Sequence, residues 1–175
     1  GYEQWAKIHN LKLAAKTMNF LTEHKIEQYA DLVSRIEEIN AENGKTADAL
    51  KSVEKRLADM AVLMKHVTTY QKTKTVYEAY RRAKDKDTYR AKQESSLILH
   101  ETAAKVLKAS GITKLPNLAA MQEEYRKLQA QKEALYAAYG KLKKQVKEYD
   151  VIKQNLDSIL RQPREPEQDK RKERE

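Results

Sequence analysis

The stretch that decides the fold runs from Tyr29 to Val67 and reads YADLVSRIEEINAENGKTADALKSVEKRLADMAVLMKHV. Apolar residues recur in it at alternating steps of three and four: Tyr29, Leu32, Ile36, Ile39, then Leu50, Val53, Leu57, Met60, Met64 and Val67. Asn43 and Thr46 fill the two intervening positions without shifting the count. The pair Asn43-Gly44 is by itself a turn signal. A turn would reset the phase, because a new helix has no reason to resume the heptad register of its predecessor. The unbroken register therefore predicts one helix of roughly 40 residues, about 60 Å long at 1.5 Å per residue. Gly44 costs it about 1 kcal/mol.

A second stretch answers the first. From Leu118 the same alternation gives Met121, Tyr125, Leu128, Lys132, Leu135, Tyr139, Leu142, Val146, Tyr149, Lys153, Leu156 and Leu160. Folding the chain back so that Val67 faces Leu118 sets Leu57 opposite Leu128, Leu50 opposite Leu135, Ile39 opposite Val146, Ile36 opposite Tyr149 and Tyr29 opposite Leu156. Asn43 then faces Leu142, and Thr46 faces the hydroxyl of Tyr139. A polar residue at an isolated seam position fixes register at some cost in stability. Lys132 and Lys153 lay their apolar stems along the seam and keep their ammonium groups in water. The expected fold is all-α: a long antiparallel intramolecular coiled coil, with a short N-terminal helix at its open end and a small helical cap at the other.

Composition agrees. Charged residues make up 35 % of the 175, aromatics 7 %, and there are four glycines and three prolines, a balance that belongs to long helices. The absence of cysteine removes disulfide and thiolate chemistry and fits a reducing cytoplasm. No apolar run is long enough for a membrane span and no export signal is present, so no membrane partner is expected. The formal net charge of +9 favours acidic partners, nucleic acid among them.

Outward from the two seams, one helical domain is expected over residues 1–160. Its N-terminal helix occupies 1–25 and is anchored by Trp5. The long helix covers 26–83, and a cap helix over 87–110 starts at Asp87 as N-cap and ends at Gly111. In that cap helix Leu97, Ile98, Leu99, Ala103, Ala104, Val106 and Leu107 form the buried side, which covers Val62, Leu63 and Met64. The return helix covers 116–160, with Pro116 in its first turn. Residues 161–175 contain only charged residues, proline and glutamine and read as a disordered charged tail. Gly1 reads as a remnant ahead of a fragment of something longer.

The positive charge is unevenly placed. Residues 71–114 hold eleven Lys or Arg against five Asp or Glu, +6 of the total, whereas 26–70 hold six against eight. Lys72, Lys74, Arg81, Arg82, Lys84, Lys86, Arg90 and Lys92 are interleaved there with Tyr70, Tyr77, Tyr80 and Tyr89. Basic side chains neutralise phosphates with release of counterions, and tyrosine rings offer stacking faces to unpaired bases. These eight cations are the candidate nucleic-acid contacts; the alternative is that the tyrosines are the core of the cap and the cations its solvated outside.

Catalytic patterns are missing. His9, His24, His66 and His100 are too scattered for an i, i+4 metal pair, and Gly44-Lys45-Thr46 imitates a phosphate loop without its first glycine. Neighbouring carboxylates such as Glu37 with Glu38, or Glu123 with Glu124, diverge on a helix. No catalytic residue, cofactor or metal ligand is expected, and the segment is read as no enzyme.

One stretch carries a resemblance. Gly1-Tyr2-Glu3-Gln4-Trp5-Ala6-Lys7-Ile8-His9-Asn10-Leu11-Lys12, continuing through Ala15, Asn19, Phe20, Leu21 and Glu23-His24, resembles the segment that follows the nuclease domain in relaxase/mobilisation proteins of bacterial conjugative elements. Lys114-Leu115-Pro116 followed by Glu124-Tyr125, and Tyr70 followed by Tyr77 and Tyr80, are similar to later parts of that region. Relaxases nick one DNA strand with a catalytic tyrosine and a histidine-held metal. Neither motif has a counterpart here, so Tyr77, Tyr80 and Tyr89 inherit no such role. The resemblance implies a cytoplasmic DNA-mobilisation context on a plasmid or integrative element. Its implied partners are DNA, the relaxase nuclease domain in the same parent chain, and a coupling protein. The alternative it leaves open is a coiled-coil arm that docks the relaxase to coupling or secretion proteins, or to itself.

Overall fold

The structure is a computed structural model that describes residues 1–161; the expected charged tail lies outside them but for Arg161. Five helices follow in order: α1 (Tyr2–Glu23), α2 (Tyr29–Arg82), α3 (Lys86–Lys92), α4 (Glu94–Ala109) and α5 (Leu118–Arg161). The described residues form no strand, and the fold is all-α as expected. They gather into two compact units, one of residues 1–46 with the chain from 138 onward, the other of residues 47–137. Both units draw on α2 and α5.

In the first unit the C-terminal turns of α1 close over α2 and α5. Phe20, Leu21, Leu32, Ile39, Tyr149 and Ile152 form its buried core, with Ile26, Ile36, Val146 and Leu156 packed against them. Leu32 is wholly buried. The seam partners expected for Ile36 and Ile39, namely Tyr149 and Val146, share this cluster with them. At its margin Tyr29 donates a 2.8 Å hydrogen bond to Asp157, which also accepts one from Lys153. Helix α2 passes through Asn43 and Gly44 without a break, and a methyl group at Gly44 would meet nothing within 4 Å. Asn43 keeps its seam position but its carbonyl oxygen is buried with no partner among the described residues. Thr46 does not bond Tyr139; its hydroxyl turns back to the Glu42 carbonyl at 2.9 Å, the local bond always within reach of a helical threonine.

Trp5, expected to anchor α1, is 60 % exposed, as are Tyr2, Ile8 and Leu11 in large part. The buried residues of α1 are Thr17, Phe20 and Leu21, so the helix is held by its last turns. Its rings satisfy each other instead: Trp5 stacks on His9 with centroids 5.1 Å apart. The C-terminus of α1 is a Schellman turn, with Ile26 N–H bonded to Leu21 O and Lys25 N–H to Thr22 O. Lys25 takes the left-handed position there, φ 55°, where glycine is usual. This turn carries the chain to Tyr29, three residues beyond the expected start of the long helix.

In the second unit Val53, Leu57 and Leu128 are buried together, flanked by Met60, Tyr125 and Leu135. Leu57 and Leu128 thus meet as the register demanded. Glu54 accepts a hydrogen bond from Tyr136 at 3.2 Å and pairs with Lys132 at 3.8 Å, while Arg56 approaches Glu124 at 3.5 Å. Rising numbers on α2 meet falling numbers on α5, the antiparallel order, and the same holds within the first unit. Val62 stays exposed, so α4 does not cover the apolar triplet in full. Helix α5 starts at Leu118 and not at 116, because Asn117 caps it through the amide of Ala120 at 3.2 Å. Pro116 lies before the helix.

Candidate nucleic-acid interface

The expected single cap helix over 87–110 is two helices. Asp85, and not Asp87, is the N-cap of α3: its carboxylate accepts from the amide of Thr88 at 3.1 Å and from the Thr88 hydroxyl. Those bonds, the hydroxyl's first, hold the Asp85 carboxyl below its ordinary pKa. Gln93 then ends α3 and begins α4, with φ −121° and ψ 25°. Helix α4 closes on Gly111 as expected, φ 76°, in a second Schellman turn with Ile112 N–H on Leu107 O.

Helix α4 buries Leu97, His100, Ala103 and Leu107. Ile98 and Leu99, expected inside, are half exposed. The position they lose belongs to His100, which is 2 % exposed. Its Nδ1 lies 2.8 Å from the Thr73 hydroxyl of α2. The rings of Tyr70 and Tyr77 stand on it with centroids 4.4 Å away in both cases. Burial pushes the His100 imidazole below its ordinary pKa, while Glu101 and the Tyr70 backbone act the other way. Sequence reasoning passed over His100 because histidine is not counted as apolar. Its place three residues from both Leu97 and Ala103 was the available signal.

The aromatic contacts continue outward. Tyr77 and Tyr80 lie 6.3 Å apart, Tyr80 and Tyr89 6.4 Å apart. The Tyr89 hydroxyl donates to the Val76 carbonyl at 3.3 Å. All four tyrosines are half-buried. They pack on His100 and on one another within the cap, none of them fully buried.

The eight candidate cations fare differently. Arg90 is half-buried and clamped on Glu101 by hydrogen bonds of 2.8 to 2.9 Å. Its guanidinium carbon stands 5.4 Å over the Tyr80 ring. Glu101 holds the Arg90 charge more firmly than usual, against a smaller opposing effect of burial. Lys74 lies 3.9 Å from Glu78 one turn on. Lys72, Arg81, Arg82, Lys84, Lys86 and Lys92 are exposed and make no ion pair among the described residues. Not all of these share one surface. At about 100° per residue, Lys72 and Arg81 point to opposite flanks of α2. Arg81 and Arg82 in the last turn of α2, Lys84 in the link and Lys86 at the start of α3 are the contiguous set.

Among the described residues, no group of three or more His, Asp or Glu is placed to hold a metal, and no helix is long and apolar enough to cross a membrane. Comparison with protein-family models, curated proteins and solved structures finds no match to this chain.

Proposed function

We propose that this chain is a non-catalytic helical module of a conjugative relaxase, assisting DNA mobilisation by holding DNA on the basic cap. The observation that carries the reading is the exposure of Arg81, Arg82, Lys84 and Lys86 at the end of α2, without ion-pair partners among the described residues. These four cations, set against Asp85 and Asp87 in the same stretch, leave an excess of positive charge that favours a polyanion. The resemblance of residues 1–24 to the segment after a relaxase nuclease supplies the context. Joined to a nuclease, such a module raises the local concentration of DNA at the catalytic domain without a new catalytic group. A mobility-shift assay with origin and random DNA, at two salt concentrations, tests this. Retarded complexes that dissolve at the higher salt support it; free migration of every probe at low salt refutes it.

A second reading draws on a different observation. Tyr2, Trp5, Ile8 and Leu11 expose large apolar surface on α1, which favours an arm that docks on a coupling or secretion protein or on a second copy. Nuclease-resistant recovery of a transfer component with this chain would support that reading. Recovery abolished by nuclease treatment would leave DNA as the link.

A further inference from the structure

We infer that the cap engages double-stranded nucleic acid through its phosphates, with Arg81, Arg82, Lys84 and Lys86 as contacts and without stacking of bases. The inference rests on the DNA-binding reading above and narrows its ligand.

A protein holds unpaired strands by stacking bases on open aromatic rings along a basic groove. The rings that could do so here are already occupied. Tyr77 and Tyr70 lie against His100, each at 4.4 Å. Tyr80 lies between Tyr77 and Tyr89 and beneath the Arg90 guanidinium. Tyr89 is tied by its hydroxyl to the backbone of α2. A base seeking one of these rings would compete with those contacts. Arg90, the cation set over the Tyr80 ring, has its fork on Glu101.

What remains exposed is charge. A duplex presents one phosphate charge per about 1.7 Å of axis, a denser and stiffer array than a single strand offers. Side chains that supply charge alone gain most from that array. The two arginines stand in the last turn of α2, Lys84 in the link and Lys86 at the start of α3, so all four lie exposed along one bend of the chain. Of the two acids beside them, Asp85 is turned to the Thr88 amide and hydroxyl, and Asp87 follows Lys86 in the first turn of α3.

Four phosphate contacts give a slope of log affinity on log salt of about −3.6. The test is fluorescence anisotropy of the whole chain with duplexes of about 20 base pairs in two unrelated sequences, and with single strands of equal length. Both duplexes should bind about fivefold or more tighter than either strand, with that slope. Lys84→Gln together with Lys86→Gln should flatten it by about 1.8. Single strands bound as tightly as duplex, or more tightly, would overturn the inference while leaving DNA binding intact. No binding to any probe would remove the underlying reading, and the inference with it.

Discussion

The Nδ1 of His100 and the Oγ1 of Thr73 stand 2.8 Å apart, 27 residues distant in the chain, and their contact fastens α4 to α2. It is a polar contact inside an otherwise aromatic packing, so the protonation state of one ring bears on the whole cap. The groups facing that ring are the neutral Thr73, Tyr70 and Tyr77 of α2, and Glu101 beside it on α4, itself neutralised by Arg90 of α3.

Acid should therefore loosen the cap. Burial lowers the folded-state pKa of His100 below the ordinary 6.5. The unfolded chain then binds the proton more readily, and stability rises with pH across that interval. The contribution is complete above pH 6.5 and declines as pH falls through the lowered folded value. Urea unfolding should show this loss in the native protein. In His100→Leu the loss over the same interval should shrink; an unchanged slope would mean that His100 is not the group responsible.

Lys25 and Gly111 occupy the same left-handed position of two Schellman turns, one with a Cβ and one without. Lys25→Gly should raise stability by about 1 kcal/mol, and Gly111→Ala should lower it by a similar amount. Thermal melts of the two variants should move in opposite directions.

The last turns of α1, and not its aromatic start, hold the helix down. Phe20→Ala should cost about 3–5 kcal/mol, whereas Trp5→Ala should stay within about 0.5 kcal/mol. Equal losses in urea titrations would restore Trp5 as the anchor.

Gly44 and Asn43 test the unbroken helix. A methyl group at Gly44 meets open space, so Gly44→Ala should stabilise by about 1 kcal/mol. Asn43 buries an oxygen without a partner among the described residues, and Asn43→Leu should stabilise by about 1–2 kcal/mol. If both variants melt lower, the chain turns where the helix was drawn.

The helical seams were legible because heptad phase is a property of sequence alone. Ile36, Ile39, Val146 and Tyr149 declared their common cluster by spacing, as did Leu57 and Leu128. The cap was less legible, because burial there depends on what the fold brings alongside. His100 is buried since Tyr70, Thr73 and Tyr77 make a place for it, and Ile98 and Leu99 are left half exposed. The break at Gln93 and the cap at Asp85 are turn chemistry, in which neighbouring polar residues compete on nearly equal terms. The candidate cations were all identifiable by charge. That Glu101 takes Arg90 needed the three-dimensional arrangement.

The claim on which the functional account stands is that the exposed cations at the end of α2 hold the nucleic acid. Its most direct test is duplex affinity, read by anisotropy at low salt, for a chain carrying Arg81→Glu, Arg82→Glu and Lys84→Glu, with far-ultraviolet circular dichroism to show that helicity is kept. The account predicts a loss of about tenfold or more. Affinity equal to that of the native chain, with helicity unchanged, would contradict it.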